Sequence, residues 1–136
     1  MVLKPKFSII TVTYNAAGVV GPTLQSVKAQ TYTNYEYLLI DGGSKDDTVG
    51  IAKASGISFA QIVSERDNGI YDAMNKGIAL ATGDYLCFLN AGDTFHSPDT
   101  LQVIVDAIAG EKELPHVLYG ETAEVDEARE FVRMRR

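Results

Sequence analysis

The sequence predicts an α/β fold in three layers, a mainly parallel sheet with helices on both faces. Two observations predict it. Short β-branched or aromatic runs alternate with segments of helical period, and a polar cluster follows each of the first four runs. The third observation is negative. Neither Gly-x-Gly-x-x-Gly nor Gly-x-x-x-x-Gly-Lys-Ser/Thr occurs, which excludes a dinucleotide fingerprint and a P-loop.

Residues 7–13 (Phe-Ser-Ile-Ile-Thr-Val-Thr) are rich in β-branched side chains and read as the first strand, ended by Tyr14 and Asn15. Residues 19–30 read as a helix with Val20, Leu24 and Val27 on one face. Pro22 falls in its first turn, where the missing N–H is not needed. Residues 35–40 are the second strand, followed by the turn Asp41-Gly42-Gly43-Ser44. Asp46, Asp47 and Thr48 open a helix running to about Ser55, since anionic side chains suit that end. Residues 57–63 are a third, weaker strand, and the polar loop 64–69 leads into a helix over 70–81 with Met74, Ile78 and Ala81 on its apolar face.

Residues 85–89 (Tyr-Leu-Cys-Phe-Leu) form a continuous apolar run, read as a central strand covered on both faces. The strand delivers Asn90-Ala91-Gly92-Asp93. By itself this turn reads more readily as a bend at Gly92 with Asp93 capping the next element, because short motif matches are common by chance. Ser97 is the expected N-cap of a helix with Pro98 at its first position, continuing through Leu101, Ile104, Val105 and Ile108 to Gly110. Val117-Leu118-Tyr119 is a further expected strand, and residues 121–136 one strand or a hairpin.

At 136 residues, the expectation is a single domain over 1–136 with a real core. No apolar stretch is long enough to span a bilayer, and the start lacks the pattern of a signal peptide. The lone Cys87 excludes a disulfide framework and reads as a reduced, buried thiol. These features predict a cytoplasmic protein. The net charge of −6 hides an asymmetry, because Arg129, Arg133, Arg135 and Arg136 are four of the twelve basic residues. Residues 1–128 carry eight basic against seventeen acidic residues, which excludes a broad nucleic-acid-binding face. A phosphorylated ligand would need a metal or backbone amides beside it.

In a parallel sheet the polar clusters 13–15, 41–44, 65–69 and 90–93 converge on one edge, where ligands of open α/β sheets collect. That convergence turns four bland turns into one candidate nucleotide site. Asp93 at this edge suits a hard divalent cation.

Three stretches carry a family resemblance. Residues 8–15, 39–48 (Leu-Ile-Asp-Gly-Gly-Ser-Lys-Asp-Asp-Thr) and 67–77 (Asp-Asn-Gly-Ile-Tyr-Asp-Ala-Met-Asn-Lys-Gly) resemble glycosyltransferase family 2, and most nearly its bacterial exopolysaccharide and colanic-acid-type transferases. With Asn90 to Asp93 the motifs cover about residues 7–93 in the family's order. The resemblance implies a GT-A fold and an inverting, metal-dependent transfer of sugar from a nucleotide-diphosphate donor to a glycan or lipid-linked acceptor in cell-surface polysaccharide synthesis. It implies donor-nucleotide contacts from Thr13, Tyr14, Asn15, Asp41, Asp67, Asn75 and Asn90, with Asp41 on the base and Asp67 on base or ribose. It also implies Mn²⁺ or Mg²⁺ on Asp93.

The chain departs from the pattern at Asn90, where the family's usual first Asp is replaced and the metal site loses a charge, and at Met74, where many members carry Arg. The family's general base lies well downstream of the metal motif, so the expectation here is the donor-binding half without its catalytic carboxylate. Two other classes compete. One is a nucleotide-binding module that transfers nothing. The other is a nucleotidyltransferase, which should show a Gly-rich phosphate loop near the first strand that 11–15 lacks. Peripheral association of the full-length protein with the inner membrane face and a weak homodimer through an exposed strand edge are further expectations. Arg66 reads as a phosphate contact or an exposed loop residue. His96 and His116 lack spaced partners and read as structural.

Overall fold

The computed structural model describes residues 4–111, 113, 115–117, 122–125 and 131–135. The strand–helix alternation is present as β1 (Phe7–Thr13), α1 (Val20–Lys28), β2 (Tyr35–Asp41), α2 (Thr48–Ala54), β3 (Gln61–Ser64), α3 (Ile70–Leu80), β4 (Tyr85–Phe88) and α4 (Thr100–Ile108). The strands form a four-stranded parallel sheet in the order β3-β2-β1-β4. A hairpin follows, with β5 (Thr122–Val125) antiparallel to β6 (Phe131–Arg135).

Strand parity sorts the core into two layers. On one face Phe7, Ile9, Tyr37 and Leu39 pack with Val20, Leu24 and Val27 of α1, Ala52 of α2, and Leu101 and Val105 of α4. On the other, Ile10, Val12, Leu38 and Ile40 pack with Ala73 of α3, backed by Met74 and Leu80. The chain steps outward from β1 to β3, then crosses back to place β4 on the other side of β1. That reversal leaves a crevice at the carboxyl ends of β1 and β4.

The structure corrects several expectations. The 85–89 run is not the central strand. β1 and β2 are central, and among the described residues β4 pairs with β1 alone. Of β4, Phe88 packs into the α3 layer, whereas Leu86, on the same side, remains 45% exposed. The apolar face of α3 is built on Ala73, Met74, Gly77 and Leu80, not Ile78, which points outward. Gly77 allows this, because a Cβ there would lie 2.6 Å from Ile10 Cγ2.

The third strand is shorter than expected, beginning at Gln61. The fourth helix starts two residues after Pro98: Ser97 Oγ accepts from Asp99 N–H in a turn, and the N-cap residue Asp99 makes no capping bond with its own side chain. Val117 is described but is not in a strand, and Leu118 and Tyr119 lie outside the described residues. Among the described residues no helix is long and apolar enough to cross a membrane.

Candidate functional site

The parallel ladder runs past the strand ends and gathers the loops that follow them. Thr13 C=O accepts from Gly42 N–H at 2.9 Å, Val12 C=O from Ala91 N–H at 3.3 Å, and Asp41 C=O from Glu65 N–H at 3.0 Å. The loops enclose a cavity of about 960 Å³. Its walls come from all four post-strand clusters: Thr13 to Ala16, Gly42 with Gly43, Arg66 with Asp67, and Asn90 with Ala91. Val19, Lys45, Gly69 and Ile70 complete it.

Asp41 sits beneath this floor and is 1% exposed. It accepts five hydrogen bonds, from Thr13 Oγ1, the Ser44 hydroxyl and N–H, Gly43 N–H and Ser64 Oγ, at 2.5–3.1 Å. Burial works to raise its pKa, but the donors from Ser44, Thr13 and Ser64 outweigh it and the net shift is downward. The carboxylate therefore ties the loops after β1, β2 and β3 together.

Asn15 makes a second tie. It adopts φ of 46°, a left-handed conformation that asparagine tolerates better than most residues. Its N–H donates to Ser44 Oγ and its Oδ1 accepts from Lys45 N–H, both at 2.8 Å. Asp46 adds a third, accepting from Ala17 N–H at 3.1 Å and from Thr48 at the start of α2. Asp46 thus starts the helix, as expected for an acidic residue at that end.

Five of the predicted residues face the cavity directly. Tyr14 stands at its rim, 61% exposed, a ring available for stacking. Thr13 and Asn15 line it but spend their side chains on the ties above. Asp67 lines it with Oδ1 on Gly69 N–H at 3.0 Å and Oδ2 close over Gly42, where a Cβ would lie 2.7 Å away. Gly42 is thus required by the approach of Asp67. Asn90 lines the cavity too, and its Oδ1 is shielded from solvent without a hydrogen-bond partner. Among the described residues it is the one such side-chain atom, and a buried polar atom asks for a partner.

The structure does not bring the other two to the cavity wall. Asn75 is exposed on α3, and Asp93 lies exposed just past the Asn90–Ala91 wall. Asp93 N–H donates to Asn90 C=O at 2.9 Å, and Gly92 turns the chain with φ of 100°. As donor set for a cation, the described residues offer this single exposed carboxylate. It fits an ion that shares its remaining oxygen ligands with phosphates and water.

Two cations also line the cavity: Lys45, which the sequence reading did not select, and Arg66, which it left between a phosphate contact and an exposed loop residue. Both flank motif residues that it did select, and a cation within two residues of a candidate ligand-binding Asp or Ser was the available signal. Cys87 packs against the helix-bearing core, and burial pushes its thiol up to about 11, so it has no part in this site.

A family model described as glycosyl transferase family 2 matches residues 8–129. A PGL/p-HBAD biosynthesis glycosyltransferase of Mycobacterium tuberculosis is 42% identical over 120 residues, covering 86% of this chain and 46% of that protein. The amylovoran biosynthesis glycosyltransferase AmsB of Erwinia amylovora is 32% identical over 123 residues, 85% of this chain and 40% of that one. The chain thus spans less than half the length of these relatives.

Among solved structures, the mannosyltransferase PcManGT of Pyrobaculum calidifontis, in complex with GDP-Man and Mn²⁺, superposes with a TM-score of 0.72 at 24% identity over 80% of this chain and 34% of that one. Residues 1–349 of S. aureus TarS, in complex with UDP-GlcNAc, give 0.68 at 24% identity over 76% and 31%. At such identities the likeness is one of fold.

Proposed function

The chain belongs to glycosyltransferase family 2, and from that membership we propose that its cavity binds a nucleotide-diphosphate sugar for inverting transfer to a glycan or lipid-linked acceptor. The observation that carries the reading is the single cavity built from all four post-strand loops at the carboxyl edge of the sheet. Tyr14 supports stacking on the base, and Asp67 supports a hydrogen bond to base or ribose. The unpartnered amide of Asn90 suits a ribose hydroxyl, which supplies a donor or acceptor to either orientation of the amide. Lys45 and Arg66 supply positive charge for the diphosphate. Asp41 acts by holding the loops rather than by touching the base, because its oxygens already serve five donors.

Asp93 would hold Mn²⁺ or Mg²⁺, which when bound neutralises the charge of the departing nucleoside diphosphate. In the transfer, an acceptor hydroxyl would give its proton to a carboxylate base and form the new bond to the anomeric carbon as the bond to the diphosphate oxygen breaks and the nucleoside diphosphate leaves. Titration calorimetry with UDP and GDP, each with and without Mn²⁺, tests the donor site. Binding of either nucleotide supports it, and failure of both to bind with metal present overturns it.

A narrower reading, donor binding without transfer, is favoured by one feature. Among the described residues Asp67 is the sole carboxylate in the cavity lining, and one of its oxygens is already taken by Gly69 N–H. Nucleoside-diphosphate release from nucleotide sugars, with and without glycan acceptors, separates the two. Acceptor-stimulated release at about 1 s⁻¹ or more favours transfer. Glu121, the first residue to mutate in that event, lies outside the described residues.

Two assembly states belong to the same proposal. Exposed Phe131, Val132 and Met134 beside Arg133 on β6 suit peripheral contact with an anionic membrane face, tested by vesicle sedimentation. The outer edge of β4 suits weak self-association, tested by sedimentation velocity. Arg129 and Arg136 of the basic terminus lie outside the described residues.

A further inference from the structure

The segment between Asn90 and Pro98 has no regular secondary structure, so its backbone polar groups need partners from elsewhere. Side chains of one neighbouring element supply three of them. Gly92 N–H donates to Thr23 Oγ1 at 2.9 Å, and Phe95 N–H to Ser26 Oγ at 3.2 Å. Ser97 C=O accepts from Gln30 Nε2 at 2.7 Å. Thr23 and Ser26 are three apart on α1 and so share a face, and Gln30 lies just past the helix end.

The fixings are themselves fixed. Ser26 Oγ donates to Thr23 C=O at 2.8 Å, which leaves its lone pairs for Phe95. Gln30 is buried and uses both ends of its amide, Oε1 accepting from Leu101 N–H at 3.1 Å. Thr23 is fully buried among apolar neighbours, where a hydroxyl without a bonding task would only cost stability. Asp93 lies between the first two fixing points, and its own side chain makes no hydrogen bond among the described residues. Among the described residues, what holds it is the backbone: its own N–H on Asn90 C=O, and the anchored N–H groups of Gly92 and Phe95 on either side.

We propose that Thr23 and Ser26, with Gln30 behind them, are positioning residues that set Asp93 for its cation. This rests on the metal role proposed for Asp93 above. Supporting groups one shell out from a ligand commonly change metal affinity by about tenfold or more when removed. Threonine at 23 is required for its hydroxyl, while valine would keep its shape.

The test is a double-mutant cycle read by titration of UDP or GDP in the presence of Mn²⁺, on wild type, Thr23→Val, Asp93→Asn and the pair. Thr23→Val is expected to weaken binding about tenfold in the wild-type background and less than about twofold beside Asp93→Asn. Thr23→Ser, which keeps the hydroxyl, is expected to retain wild-type affinity. An equal loss in both backgrounds, or full affinity in Thr23→Val, overturns the proposal. Should Thr23→Val fail to fold, the same cycle on half-buried Ser26→Ala decides in its place, with the same outcomes. If wild type binds nucleotide but Asp93→Asn changes nothing, the metal role falls and this proposal with it. Failure of wild type to bind any nucleotide is a separate result that sinks the donor site itself.

Discussion

A carboxylate that accepts five internal hydrogen bonds is a fixture, and Asp41 carries testable weight as one. Asp41→Ala leaves three hydroxyls and two N–H groups to find new partners. The expected loss is about 2–3 kcal/mol in chemical denaturation, from donors left unpaired. A variant as stable as wild type would return Asp41 to the role of a free ligand contact. The acid limb follows from the sign of the shift. The folded-state pKa of Asp41 is depressed, so its ionised form favours the folded state. Its contribution is complete above the unfolded value of about 3.9 and is lost as pH falls through the folded value. Glu36 behaves alike, burial raising its pKa but donors from Ser8 and Thr82 carrying it below the usual value. Thermal melts should therefore drop below about pH 4, and Asp41→Asn should lessen the drop without abolishing it. The motif around Asp41 was legible in the sequence, but its job was not. The five donors come from β1, the turn after β2 and the end of β3, and only folding brings them to one atom pair.

At the scale of elements, helix α3 rests on the sheet through a missing side chain. A methyl group at Gly77 would meet Ile10 at 2.6 Å in a fully packed layer. Gly77→Ala should thus destabilise by about 1–3 kcal/mol through overpacking, despite alanine being the better helix former. Melting temperatures of the variant and of Gly77→Ala with Ile10→Val check it, because the smaller partner should recover part of the loss. The same contact explains a misreading. Period alone put Ile78 on the buried face, whereas the glycine draws the helix in along the stripe through Ala73, Gly77 and Leu80. For β4, an apolar run announced a strand correctly, yet its place at the side of β1 depends on where α3 crosses, which no local pattern encodes.

Over the whole molecule, charge sets the condition for binding. A chain of net charge −6 that meets a diphosphate needs compensating charge, of which Lys45 and Arg66 supply part. Metal is expected to raise nucleoside-diphosphate affinity, and Asp93→Asn to remove the metal-dependent portion; calorimetry with and without chelator checks it, and equal affinities would refute it. The layer order and the gathering of four loops were legible, because alternation and post-strand polarity are periodic signals. Lys45 and Arg66, and the absence of Asn75 from the wall, depend on side-chain direction in three dimensions.

The position of β1 has a consequence for synthesis. It leaves the ribosome before both of its partners, pairing on one side with Tyr35–Asp41 and on the other with Tyr85–Phe88. Until Tyr85–Phe88 emerge, one edge of β1 stands open, and Ile9 and Ile10, solvent-free in the folded domain, lack part of their cover. The cavity can close only after Asn90 and Ala91 emerge, so the nascent chain passes through a long interval with its ligand site half built, and a chaperone has its clearest target there.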